Sequence, residues 1–209
     1  VWGAENYMPW VIHPIPEKQW WLNLGFLRGR LLAVTGLLFI LNAVMVWLSL
    51  RADAAVSRGE EVSRKLHYRL NAVSIAAVLA YVLAFTVISW DFVMSLQPHW
   101  VSTMLAPYFF ITNMYGAIGV LIVAAALLRN RLDVGNHLGP QQFQDMGNLM
   151  LGFSLFSMGL FFAQYLTIWY GNLPLETPWP VLRYYRGFEG TNWPMLSWIV
   201  FAVGYAVPF

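Results

Sequence analysis

The sequence predicts an all-α, polytopic transmembrane helical bundle with four full spans and the start of a fifth. Three observations carry this. Charged residues are 11% of the chain and hydrophobic ones 59%, whereas a soluble domain of this length carries about 25% charged residues. Mean hydropathy is positive. The apolar residues also fall in runs of about twenty, the length that a rise of about 1.5 Å per residue needs to cross a hydrocarbon core of about 30 Å.

In chain order, residues 1–30 read as an interfacial segment, rich in Trp2, Pro9, Trp10, Pro14, Pro16, Trp20 and Trp21. Residues 31–170 then hold a four-helix bundle, whose first span, 31–50, contains one strongly polar residue, Asn42. The second, 70–96, exceeds a vertical crossing, so it tilts or projects its Ser89, Trp90, Asp91 end from the hydrocarbon. The third, 103–128, carries Pro107, and the fourth, 146–170, ends in Tyr165, Trp169 and Tyr170, amphipathic rings suited to the interface. Residues 171–194 follow as a loop with Pro174, Pro178, Trp179 and Pro180, and 195–209 start a further helix. The chain begins at Val1 and stops at Phe209 inside an apolar stretch, which reads as a fragment of a longer protein.

The connections alternate sides. Lys18, Arg28, Arg30, Arg183 and Arg186 lie on one face, and Arg51, Arg58, Arg64, Lys65, Arg69, Arg129 and Arg131 on the other. The positive-inside rule therefore puts the 51–69 loop in the cytoplasm and the turn at Pro98 outside. A net charge of +2 carries no basic face for nucleic acid. With no cysteine, the chain holds no disulfide, thiolate-ligated iron-sulfur cluster or Cys-bound zinc. His13, His67 and His137 read as loop residues without a helical histidine partner at ligand spacing, so no metal or haem is assigned to this chain.

Ionisable groups near a bilayer tend to face a cavity or partner and to mark proton or substrate paths. Asp91 and His99 are the candidates for accepting protons, flanked by Trp90. Asp91 reads equally as an interfacial carboxylate in water. With Pro98 in the first turn of the third helix, His99 starts that helix, and Ser102, Thr103 and Asn113 extend a polar stripe inward. That stripe suits a quinone carbonyl or a water chain, although each such residue alone is more often packing glue. Asp145 opens the fourth helix, where the dipole also favours an acid, and Ser157 and Gln164 share one of its faces.

Two stretches go beyond composition: Trp90-Asp91-Phe92-Val93-Met94-Ser95-Leu96-Gln97-Pro98-His99-Trp100-Val101-Ser102-Thr103, and Gln164-Tyr165-Leu166-Thr167-Ile168-Trp169-Tyr170-Gly171-Asn172-Leu173-Pro174-Leu175-Glu176-Thr177. With Asp145-Met146-Gly147-Asn148-Leu149, they resemble the NrfD/PsrC-type quinol-oxidoreductase membrane subunits, most closely the ActF-type subunits of alternative complex III. The resemblance runs in order from about Lys18 to Phe209. Family chains are longer, with two helical bundles, and this chain corresponds mainly to the second. It departs at Gln97, where the family commonly has Glu, and at Gln144, commonly His, so a proton relay through those two positions lacks its titratable groups.

The resemblance implies a bacterial cytoplasmic-membrane complex that oxidises quinol. Electrons then pass through an iron-sulfur subunit and c-type haem subunits, beside a second NrfD-like subunit. Asp91 and His99 match the quinol-pocket region, with Trp90, Ser102, Thr103 and Asn113 around them. Asp145 and Glu176 match acids at helix ends, which with Gln164 outline a proton path. Two other classes compete. A scaffold would anchor periplasmic redox subunits through its aromatic loops. A secondary transporter would need a polar midplane site, for which only Pro107 and Asn113 speak.

Overall fold

The computed structural model describes residues 8–129, 138–174, 176–186 and 192–205. Trp2 and His137 lie outside the described residues. Four helices are long and apolar enough to cross a membrane: α1 (Leu24–Ser57), α2 (Arg64–Phe92), α3 (Leu105–Leu128) and α4 (Pro140–Gly171). A shorter apolar helix, α5 (Trp193–Tyr205), follows, and no strand occurs among the described residues. This is the all-α architecture of a multi-pass membrane protein.

The helices begin earlier than their apolar runs, because a charged side chain ends hydrophobicity without ending the backbone hydrogen-bond ladder. α1 starts at Asn23, whose side chain accepts from the amides of Gly25 at 2.9 Å and Phe26 at 3.4 Å, an N-cap. The segment boundary expected at residue 30 thus falls inside α1. α1 is 34 residues long, about 51 Å at about 1.5 Å per residue, so it overreaches a hydrocarbon core of about 30 Å. Its C-terminus is a Schellman turn on Gly59, at φ 74°: the Gly59 amide donates to Val56 O and the Glu60 amide to Ala55 O.

Ser63 caps α2 by accepting the Leu66 amide at 3.3 Å. His67, expected in a loop, therefore sits in the first turns of α2. α4 starts at Pro140, six residues before its apolar run, with Gln142 Oε1 accepting the Gly139 amide at 2.9 Å. Asp145 accordingly lies in its second turn and not at its start. α4 ends on Asn172, in the left-handed conformation at φ 43°.

α3 departs from expectation. Residues 97–104 are not helical, so Pro98 is not in its first turn and His99 does not start it. Ser102 Oγ instead accepts the Leu105 amide at 3.2 Å, satisfying one of the orphan donors of a helix that begins there.

The chain divides into two compact units, 1–98 and 99–209. In the first, α1 and α2 form an antiparallel hairpin, and Met8, Trp10 and Leu27 make a small core where the N-terminal segment covers the start of α1. In the second, α3 and α4 form another hairpin. There α5 packs on α4 and on the π-helical turn Leu182–Arg186. The helices leave large apolar side chains such as Leu32, Phe39, Leu83, Val120 and Phe162 exposed, which suits lipid as their solvent.

Candidate functional site

In the first unit, polar chemistry concentrates where α2 ends. Asp91 is 1% exposed and is held by Arg30 of α1. Arg30 Nε donates to Asp91 Oδ2 at 2.8 Å and Nη2 to Oδ1 at 2.5 Å, a two-pronged pair. Such forks are among the stronger charge-assisted bonds, and burial makes them obligatory, since either charge alone in a low-dielectric interior is costly. The third nitrogen, Nη1, donates to Trp21 O at 3.3 Å. The guanidinium carbon lies 3.8 Å from the Trp21 ring centroid and 4.7 Å from that of Phe26, two cation–π contacts on rings that meet edge-on.

Around this pair, Ser95 Oγ donates to Asp91 O at 2.5 Å and buried Ser89 donates to Thr86 O at 2.8 Å. Trp90 turns outward, 38% exposed, with its ring edge-on to Trp21 at 5.9 Å. Lys18 Nζ donates to Pro98 O at 2.5 Å. Each oxygen of Asp91 thus accepts one guanidinium hydrogen bond, and the carboxylate is closed off from the surface. Arg30 and Trp21 were not singled out from sequence, because a partner 61 positions away is set by the hairpin register.

In the second unit, the buried polar groups form two clusters on the face of α4 turned to α3. Ser102 Oγ donates to Gln164 Oε1. Two turns away, Ser157 Oγ lies 3.1 Å from Thr112 Oγ1 and 2.9 Å from the Tyr205 hydroxyl, which is itself 3.3 Å from the Tyr108 hydroxyl. Thr112 also donates to Tyr108 O at 2.7 Å. Four hydroxyls from three helices are therefore linked in series. Ser154, one turn before Ser157, is fully buried with no hydrogen-bond partner among the described residues.

Beside this series lies a cavity of about 180 Å³ lined by Tyr108, Phe161, Tyr184, Leu196, Phe201 and Tyr205. Phe161 is its hub, with ring centroids of Phe201 at 5.3 Å, Tyr184 at 6.0 Å and Tyr205 at 6.3 Å. The phenol of Tyr184, in the loop, is pushed up to about 12 by burial and then by neighbouring Tyr205, against the opposing pull of Arg183. Nearby in sequence, Trp179 stacks parallel on buried Trp100 at 4.6 Å.

The remaining sequence candidates are dispersed. His99 and Thr103 are exposed. Asn113 is exposed too and donates back to Phe109 O at 2.7 Å within its own helix. Asp145 is exposed on α4, and Glu176 is half-buried in the loop after it. The structure thus joins Ser102 to Gln164 and leaves Thr103, Asn113 and Asp145 pointing elsewhere. Tyr108, Tyr184 and Tyr205 escaped the sequence reading, although Tyr108 and Thr112 at i, i+4, facing Ser157, Phe161 and Gln164 at i, i+4, i+7, are a readable pair of stripes. Among the described residues, no three His, Asp or Glu side chains are grouped to hold a metal ion. The chain matches no family model, and no curated protein is significantly similar to it.

Proposed function

We propose that this chain is an integral membrane subunit of a quinol:electron-acceptor oxidoreductase of the alternative complex III kind, contributing quinone binding and proton transfer in a bacterial cytoplasmic membrane. The observation that carries the reading is the aromatic cavity abutting the Tyr108–Tyr205–Ser157–Thr112 hydroxyl series. A cavity of about 150 Å³ is enough to admit a benzene ring, so about 180 Å³ accommodates a single quinone ring. Aromatic walls with a few convergent polar groups are what such ligands require. The Trp90–Thr103 and Gln164–Thr177 motifs support the same class.

In this reading, the Tyr108 and Tyr205 hydroxyls hydrogen-bond a ring oxygen, and the series offers the released proton a relay from Tyr205 through Ser157 of α4 to Thr112 of α3. Electrons leave through iron-sulfur and c-type haem groups on partner subunits. Asp91 and His99 remain the proposed proton acceptors of the other motif region, with Asp145, Gln164 and Glu176 as the acids and amide of a proton route.

The test uses the assembled complex. Tyr205→Phe and Ser157→Ala lower quinol turnover by about 10²-fold, the effect of losing a positioned proton-transfer group. A photoreactive quinone also labels Phe161, Tyr184 or Phe201. Unchanged turnover in both variants, with no labelling in this cavity, refutes the assignment. Asp91→Asn and His99→Ala test the other region in the same assay.

A second reading has its own observation. The Arg30–Asp91 pair is buried and joined by two hydrogen bonds, as befits a structural tie in a non-catalytic scaffold that anchors periplasmic redox subunits. It expects Asp91→Asn to loosen the assembly, and changes at Trp179 or Trp193 to release subunits, while intact complexes turn over normally.

A further inference from the structure

The two ends of the α1/α2 hairpin differ in how many cations they leave exposed: among the described residues, only Arg28 is exposed at the end holding Asp91. At the end holding Asp91, Arg30 is consumed by its carboxylate partner and Lys18 by Pro98 O. At the other end, Arg51, Arg64, Lys65 and Arg69 are all exposed. Among the described residues, the only ion pair there is Arg58–Glu60 at 3.4 Å, so none of those four cations has a carboxylate within ion-pair distance. The remaining charged and titratable groups on this end are Asp53, Glu61, His67 and Tyr68, also exposed.

The hairpin register brings the four cations to one level. Ser74 Oγ approaches Met45 Sδ at 4.0 Å, which sets residues 45 and 74 opposite each other in antiparallel helices. Counting toward the connection, Arg51 comes level with Tyr68 and Arg69, and residues 54–55 with Arg64 and Lys65. The four therefore lie within about two turns, at about 5.4 Å per turn. That level is also where the membrane surface falls. The apolar run of α1 ends at Leu50, the Arg51 guanidinium sits 3.6 Å over the Trp47 ring, and Trp47 and Tyr68 are exposed aromatics of the kind that line an interface. Directly below, exposed Val46, Leu50 and Ile75 present an apolar flank.

We propose that this end of the hairpin binds the headgroup phosphates of anionic phospholipids, with the acyl chains lying along the apolar flank. Four uncompensated cations at phosphate depth are complementary to a monoanionic diacyl lipid and give a zwitterionic one no advantage. Each juxtamembrane cation near an anionic leaflet strengthens association by about fivefold. The apolar flank makes a lipid the occupant, since free phosphate engages only the cations.

The experiment is native mass spectrometry of the purified protein, in whatever assembly it forms, with phosphatidylglycerol and phosphatidylcholine added in equal amounts. The wild type is expected to retain phosphatidylglycerol preferentially. Arg64→Gln, Lys65→Gln and Arg69→Gln each reduce that preference by about fivefold, and together they abolish it. Arg28→Gln, an exposed cation at the opposite end, leaves it unchanged. Equal retention of the two lipids by the wild type, an unaltered preference in the triple variant, or displacement of the lipid by equimolar inorganic phosphate would each overturn the proposal. Should the triple variant fail to fold, the wild type decides alone: raising ionic strength must erase its preference, and persistence at high salt refutes the site.

Discussion

Removing Asp91 should unbalance the first unit more than any other single change. Asp91→Asn leaves the Arg30 guanidinium, whose side chain is 7% exposed, facing a neutral amide that cannot complete the fork. Breaking a buried pair from one side costs about 3–5 kcal/mol, because the surviving charge stays buried and uncompensated. That is about a 10²- to 10⁴-fold fall in the folding equilibrium constant. Arg30→Met strands Asp91 in the same way and also gives up the stacking on Trp21, about 1–2 kcal/mol for a desolvated cation on indole. The double substitution Arg30→Met with Asp91→Leu removes both charges together and should recover most of the loss, since the pair's attraction largely offsets its own desolvation. Titration into denaturing micelles, followed by tryptophan fluorescence, supplies the cycle, with Trp21 and Trp90 as reporters beside the pair. A deficit below about 1 kcal/mol for Asp91→Asn, or a double variant no better than the worse single, would mean the two charges do not depend on each other. The same cycle separates the functional readings. A proton acceptor loses turnover in Asp91→Asn complexes that remain intact, whereas a structural tie loses the complex first.

Two further outcomes follow from buried groups in the second unit. Ser154→Ala removes a hydroxyl that has no partner among the described residues, so stability should hold or rise by up to about 1 kcal/mol, and a clear loss in thermal unfolding would show that the hydroxyl is satisfied after all. Tyr184 keeps its proton in the folded state up to about 12, so its contribution is complete below the ordinary phenol value near 10 and is lost as pH climbs between them. Unfolding midpoints measured across that window should fall less steeply in Tyr184→Phe than in the wild type, and parallel slopes would refute the shift.

The spans were legible because hydropathy reports which residues lipid must solvate. It does not report where a helix stops. α1 runs back past Arg30 to Leu24 and α4 back to Pro140, because caps and prolines set helix ends while charge sets only membrane depth. The cap signals at Asn23, Ser63 and Pro140 were present in the sequence, outside the apolar runs that drew attention. The polar partners were less accessible. Ser157 and Gln164 on one face of α4 follow from helical spacing, and Ser157 engages Thr112 of α3 while Gln164 engages Ser102 just before it. That Gln164 meets Ser102, that Ser157 meets Tyr205, and that Asp91 meets Arg30 depend on register between helices, which a single apolar pattern leaves free.

The same register explains why charge counting alone misleads here. By count, the two sides of the membrane differ by only a few cations. Within the first unit, pairing takes Arg30 out of one count and Arg58 out of the other, leaving Lys18 and Arg28 against Arg51, Arg64, Lys65 and Arg69. What a bilayer feels is the charge left after internal pairing. One bidentate contact buried at one end of a hairpin thus sharpens the asymmetry that orients it, and Asp91→Asn, by freeing Arg30, would weaken that asymmetry as well as the fold. A cysteine-accessibility scan of the 51–69 loop in Asp91→Asn tests this directly: mixed orientation is expected, and a uniform wild-type pattern would show that the surface cations orient the hairpin unaided.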